Sequence, residues 1–326
     1  MHVSVAPADA RAHSVVHTLY GETMGTRWRV NLCANARAPL ETLHAAIQGE
    51  LDTVVAQMST WVADSDISRY NRAEAGNWQT LPAAFARVLA AALQVAADSD
   101  GAYDPTLGSL VAAWGFGAEG GEQRVPDTES LMQARARVGW RRLQFDGARL
   151  LQPGGVALDL SAIAKGYGVD AVVAMLRARG IEAALVDVGG ELRGYGRKPD
   201  GTPWRVLVEH RDDDDAEPCV LQLDNAAVAT SGDRWHRFVA DGREYSHTLD
   251  PRSGRPVDTA PAAVTVVAES AMLADAWATA LTVMGLEHGP AFAEARGLAA
   301  RFVDHRPHGG VAEIRSTTAF DRFLPA

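Results

Sequence analysis

Apolar side chains recur at helical spacing in five stretches of the chain. From Pro39 to Met58, Ile47, Leu51, Val54, Val55 and Met58 fall on one face of a predicted helix. A second helix begins near Pro82 and carries Phe85, Val88, Leu89, Leu93 and Ala96 inward, stopping before Ser99-Asp100-Gly101. Asp127 to Ala136 reads as a shorter helix with Asp127 as its N-cap. After Asp159 the stripe Val169, Val172, Val173 and Leu176 predicts a helix to Arg179, closed by Gly180. The stretch from Ser270 to Met284 is apolar on most sides and should be deeply buried.

Between these stretches the period shortens. Thr26–Leu32 alternates in polarity, and Gly155–Leu158, Ala184–Val188, Val264–Ala268 and Ala299–Val303 are short apolar runs, all read as strands. Trp204–His210 and Cys219–Leu223 read as one hairpin, and Ala227–Ala229 follows as an apolar run. Phe238–Tyr245 reads as another hairpin, turning at Asp241-Gly242. A further helix is expected before Ala299. Residues 1–18 read as a loose arm, residues 19–326 as a single domain, and 118–127 as a flexible connection. No internal repeat is evident.

A chain of 326 residues can bury a large core. Hydrophobic content of 47% and charged content of 22% are ordinary for a globular protein. The net charge of −10 and the lack of a basic patch interleaved with aromatics argue against a nucleic-acid partner. Cys33 and Cys219 show no metal-ligand spacing and no disulfide framework, and read as incidental thiols. No apolar run approaches the ~18 residues of a membrane span. Residues 1–17 lack the apolar core of an export signal, so the chain as written is expected in the cytoplasm. A trimmed or misassigned start would instead allow a periplasmic, membrane-associated protein.

Several segments carry candidate chemistry. Ser246-His247-Thr248-Leu249-Asp250-Pro251-Arg252-Ser253-Gly254 follows the Phe238–Tyr245 hairpin, and Pro251 cannot continue a central strand. His247 is therefore expected where a sheet passes into a loop, a place suited to a general base and equally to a structural histidine. The Gly155–Leu158 strand runs into Asp159 to Gly168, a polar turn and a helix start with Lys165 in the first turns. Backbone N–H groups, the helix dipole and Lys165 suit an anion there, and ordinary capping uses the same residues. Its glycine spacing is not that of a P-loop. Asp275 and Thr279, four apart on a buried helix face, need polar partners; a divalent cation or an internal hydrogen bond would serve. Trp61, beside Asp64, Ser65, Asp66 and Ser68, offers a stacking surface or a core or lid contact. Gly25 fits a bend or a close approach to a ligand, and Gly189-Gly190 a close approach to a ligand or helix. Asp212 to Asp215 read as a solvated hairpin tip rather than a metal cage.

Taken in order, several motifs resemble the FAD:protein FMN transferase family, the ApbE-like flavin transferases. They are Met24-Gly25-Thr26, Met58-Ser59-Thr60-Trp61 with Asp66 to Asn71, Tyr103-Asp104-Pro105-Thr106-Leu107-Gly108 through Trp114-Gly115-Phe116-Gly117, and Asp159 to Gly166. Thr230-Ser231-Gly232-Asp233, Ser246 to Pro251, and Ala274-Asp275-Ala276-Trp277-Ala278-Thr279 complete the set, which spans residue 20 to about 315.

The resemblance implies an α+β fold of mixed and antiparallel sheets with packed helices, related to the T-fold. It implies FAD as flavin donor and Mg2+ as cofactor. The implied reaction moves FMN as a phosphoester onto a Ser or Thr hydroxyl of a target flavoprotein, such as a subunit of a membrane redox complex, and releases AMP. By position, Met24, Trp61, Ala102, Tyr103, Asp104, Asp159, Lys165 and Leu249 are implied at the flavin site. Asp275, Thr279 and the main-chain carbonyl of Ala162 are implied at the metal. His247 is the candidate base, with Asp250 able to orient it or to bind the acceptor. An FAD pyrophosphatase and a non-catalytic FAD-binding protein are the competing readings. Trp61 stands where many similar proteins have Tyr, and Ala278 supplies no ligand where some have a third polar group. Many relatives are exported lipoproteins, a signal this chain lacks as written.

Overall fold

The computed structural model describes residues 14–118, 122–208, 219–232, 237–240, 242–258, 260–305 and 312–325. Most of the expected N-terminal arm, residues 119–121 of the flexible connection, His210, the Asp212 to Asp215 tip, Asp233 and the turn residue Asp241 lie outside the described residues.

The chain opens with a long hairpin, β1 (Ser14–Thr23) and β2 (Thr26–Asn35). Residues 14–18, expected in the arm, therefore begin a strand. The two-residue turn is Met24 and Gly25, both left-handed (φ 49° and 70°), as such a turn requires. Helix α1 (Leu40–Met58), the short α2 (Asp66–Asn71) and α3 (Ala83–Asp98) follow, separated by strand β3 (Trp78–Thr80). Ser65 caps α2 by accepting the Ser68 N–H. Next come α4 (Gly108–Ala113), α5 (Thr128–Arg135), capped by Asp127 as expected, and strands β4 (Gln144–Phe145) and β5 (Arg149–Leu151). β3, β5 and β4 form a small sheet.

Helix α6 (Ser161–Ala178) leads to hairpin β6 (Ala184–Val188) and β7 (Glu191–Tyr195). Strands β8 (Trp204–Val208) and β9 (Cys219–Leu223) pair as expected, followed by β10 (Ala226–Ser231). Two further ribbons come next: β11 (Arg237–Ala240) with β12 (Arg243–Ser246), and β13 (Leu249–Asp250) with β14 (Arg255–Pro256). The chain then runs through β15 (Ala263–Ala268), α7 (Ala271–Ala295), β16 (Ala299–Val303) and β17 (Ile314–Ser316). Gly285 (φ 67°, ψ −175°) kinks α7, which is where the sequence divides it into two helices. Gly155–Leu158 is not a strand. The Asn71 side chain takes both backbone groups of Leu158 (2.7 and 2.9 Å), and only an isolated bridge joins Ala157 to Leu107.

The main sheet runs β1-β2-β6-β7-β10-β15-β16-β17, with every neighbouring pair antiparallel, so the α+β architecture is as expected. Strand alternation divides the core. Val30, Leu32, Ala184, Val186 and Val188 pack against Ile47 and Leu51 of α1 and Val169, Val172 and Leu176 of α6. Leu185, Val228 and Val267 turn to the opposite face and meet Trp204, Val206, Leu221 and Leu223 of the β8–β9 ribbon. Among the described residues no helix is long and apolar enough to cross a membrane.

Candidate active site

A cleft of about 750 Å³ opens where the first turns of α6 and α7 meet the β6–β7 hairpin, the β8–β9 ribbon and the segment after β12. It is lined by His247, Trp61, Ala102, Tyr103, Asp104, Asp159, Ala162, Lys165, Leu249, Asp275 and Thr279. Of the residues expected at the site, Met24 and Asp250 alone are not among the lining. The Met24 side chain packs against the core that α1 and α6 form on the sheet, and its backbone makes the β1–β2 turn.

The floor is built by close contact between two helices. Asp159 starts α6 by accepting the N–H of Ser161 (2.8 Å). The backbone at Ala162 departs from helical values (φ −91°, ψ 21°). Gly166, whose N–H a regular helix directs to the Ala162 carbonyl, donates to Oδ2 of Asp275 on α7 (3.1 Å). Only glycine permits this approach, since a Cβ there would sit 2.2 Å from the Ala271 carbonyl oxygen. Asp275 is buried, and Thr279 follows one turn later on the same face. Burial raises the Asp275 carboxyl to about 6, against the opposing pull of Lys165 and the Gly166 N–H.

Lys165 reaches across to β7, its Nζ 2.6 Å from Oε1 of Glu191. Burial works to lower the ammonium's pKa, but Glu191 and Asp275 outweigh it and raise it. Glu191 is only 3% exposed, and among the described residues its second oxygen, Oε2, has no hydrogen-bond partner. Burial and the Asp275 charge push its carboxyl up to about 8. The Tyr103 hydroxyl is likewise buried without a partner among the described residues. Asp104, raised by burial, accepts from both the N–H and the hydroxyl of Thr106 (2.8 and 2.6 Å), which orders the segment carrying Ala102 and Tyr103.

His247 follows β12 directly, between buried Ser246 and Thr248. Its ribbon is pinned by aromatic contacts: Phe238 stacks on Tyr245 (centroids 5.1 Å apart), and Trp114 packs on Tyr245 (5.6 Å). Trp114 Nε1 also donates to the Gly254 carbonyl (2.9 Å), fixing the far end of the loop. The Asp250 carboxylate engages the side chain of Arg252 (2.9 and 3.0 Å). Trp61 stands at the cleft with 71% of its surface exposed, a broad aromatic face suited to stacking against a flat ring.

The donor set suits a hard divalent cation. Among the described residues no three His, Cys, Asp or Glu side chains converge to form a metal cage. Mg2+ needs no such cage; it is commonly held by one or two carboxylates, other oxygens and substrate phosphates. A buried carboxylate, a hydroxyl one turn away, an off-helix carbonyl and the unpartnered Glu191 Oε2 supply that chemistry.

Sequence reasoning missed Glu191, which follows the flagged Gly189-Gly190 pair and reads as an ordinary strand residue until Lys165 is seen beside it. It also missed Arg29 and Asp187, which line the cleft as neighbours on paired strands (3.7 Å).

An α+β domain with this cleft has counterparts of known structure. The ApbE family model matches residues 24–302, and the chain belongs to the ApbE family. A Pseudomonas stutzeri flavinyl transferase ApbE, in its apo form, is 42% identical, with a TM-score of 0.89 over 96% of this chain and 98% of its own. A flavin transferase ApbE from Vibrio cholerae superposes with a TM-score of 0.87 at 36% identity, over 95% and 100% of the two chains. Among curated relatives, an FAD:protein FMN transferase of Klebsiella pneumoniae is 34% identical over 300 residues, covering 90% of this chain and 86% of its own. One from Vibrio cholerae is 39% identical over 280 residues, covering 85% and 84%.

Proposed function

We propose that the protein is an enzyme that transfers FMN from FAD to a flavoprotein, with Mg2+ assisting and a Ser or Thr hydroxyl accepting. The kinship with FAD:protein FMN transferases supports flavin transfer as the activity. The observation that carries the mechanism is the shared cleft, in which an imidazole, an ammonium, a buried carboxylate and a hydroxyl face one space. In this reading the domain expected over residues 19–326 acts as one functional unit that also takes in residues 14–18 of β1, and its cleft lining spans Arg29 to Val283.

In this reading the flavin ring stacks on Trp61, and the segment 102–104 and Leu249 border it. Asp275, Thr279 and the Ala162 carbonyl would hold the cation. A bound Mg2+ would offset charge on the diphosphate and on departing AMP. Lys165, held by Glu191, adds a fixed positive charge at the same place without reorganising during the reaction. His247 takes the proton of the acceptor hydroxyl as its oxygen attacks the FMN phosphorus. One P–O bond forms to the acceptor, the bond to the AMP oxygen breaks, and the proton remains on the imidazole.

The test is to incubate the protein with FAD, Mg2+ and a flavoprotein acceptor subunit, then measure the acceptor's mass and the AMP released. FMN bound covalently to a Ser or Thr supports the reading. Free FMN with an unmodified acceptor contradicts it.

A further inference from the structure

Helix α6 and strand β7 are joined by two ion pairs of opposite polarity. Lys165 of α6 meets Glu191 of β7, and a little over one turn further on, Asp170 of α6 meets Arg193 of β7 (2.5 Å). The second pair does more than join helix to sheet. Asp170 Oδ1 also accepts the Ala271 N–H (3.1 Å), and Oδ2 accepts the Met272 N–H (3.0 Å). These are first-turn amides of α7, which a helix cannot satisfy within itself. Ser270, the N-cap, takes the Leu273 N–H (3.3 Å). The start of α7 is thus tied to α6 through a carboxylate from another helix, largely buried at 14% side-chain exposure.

One turn beyond Ala271 on the same helix face comes Asp275, which also binds α6, through the Gly166 N–H. Both ends of that single turn of α7 are therefore fixed to α6. We propose that Asp170 is a positioning residue for the cation site: it sets the height and rotation of α7 so that Asp275 and Thr279 meet the Lys165–Gly166 turn. Asp170 does not line the cleft and acts through Asp275. This rests on the reading of Asp275 and Thr279 as cation ligands given above. The carboxylate is specifically required. An amide has one acceptor oxygen and an NH2 group, so it would present a donor to one of the two N–H groups.

The test is the affinity of the full chain for Mn2+ alone, without FAD, read from the loss of the free Mn2+ paramagnetic resonance signal. The parent, Asp170→Asn and Asp275→Ala are compared, with thermal melts of each. Asp170→Asn is expected to weaken Mn2+ binding about tenfold or more, the usual consequence of losing a group that orients a ligand. It should keep a cooperative melt, and saturating Mn2+ should restore most of the AMP release. A lower melting temperature with parental Mn2+ affinity would make Asp170 a helix cap only and overturn the proposal. If Asp170→Asn does not fold, Arg193→Gln leaves both α7 amides on Asp170 but removes the guanidinium that orients it. A smaller loss in the same direction is then expected, and unchanged affinity overturns the proposal. A parent that binds Mn2+ no better than Asp275→Ala would instead sink the cation reading and this inference with it, a result that does not depend on Asp170→Asn.

Discussion

The backbone N–H of Gly166 on α6 donates to the Asp275 carboxylate on α7 over 3.1 Å, and the cleft floor is organised around that contact. It requires the bare backbone at position 166, which approaches the start of α7 more closely than any side chain allows. Gly166→Ala is therefore expected to force the helices apart. Overpacking of this kind costs about 1–3 kcal/mol. The loss should appear in denaturant unfolding, together with weaker divalent-cation binding by the folded protein. Unchanged stability would mean that α7 can shift without cost.

Asp275→Ala removes the buried carboxylate that α7 contributes to the proposed cation site. AMP release should then need much more Mg2+ to reach half its maximum, and the maximum itself should fall. A Mg2+ titration that superposes on the parent's would remove Asp275 from the ligand set.

His247→Ala should leave FAD binding, followed by flavin fluorescence, close to the parent's. Transfer to an acceptor should fall by about 100-fold or more, the usual contribution of a positioned general base. Transfer near the parental rate would assign the proton to another group.

Two carboxyls in the floor titrate above their ordinary values, Asp275 at about 6 and Glu191 at about 8, both chiefly because burial disfavours the charged form. The folded protein then binds more protons than the unfolded chain between about pH 4 and pH 8, so stability falls as pH rises through that window. The metal-free protein should melt lower at pH 8.5 than at pH 6. Added Mg2+ should raise the melting temperature more at pH 8.5, where the ligands are already ionised. Thermal melts at the two pH values with and without Mg2+ check both signs; a metal-free protein more stable at pH 8.5 would contradict them.

The helices were legible because their apolar stripes run for many turns: the Ile47–Leu51–Val54 face of α1 and the Val169–Val172–Leu176 face of α6 are buried where the sequence puts them. Strand β1 was not legible. It is an edge strand, so its side chains are largely exposed and its polarity does not mark one face. Gly155–Leu158 misleads for the opposite reason, being apolar and buried while its backbone is satisfied by the Asn71 side chain rather than a neighbouring strand. At the site, family motifs flagged Lys165 and Asp275 singly. Glu191, Asp170 and Arg193 matter only as partners of distant residues, and no spacing within one element reveals such pairs.

The most direct test of the central claim is a single reaction of the protein with FAD and a flavoprotein acceptor, run with and without Mg2+, with AMP and acceptor mass followed together. AMP should appear in step with one FMN phosphoester per acceptor hydroxyl modified, and only when Mg2+ is present. AMP released with Mg2+ while the acceptor's mass stays unchanged would contradict it and make water, not a protein hydroxyl, the nucleophile.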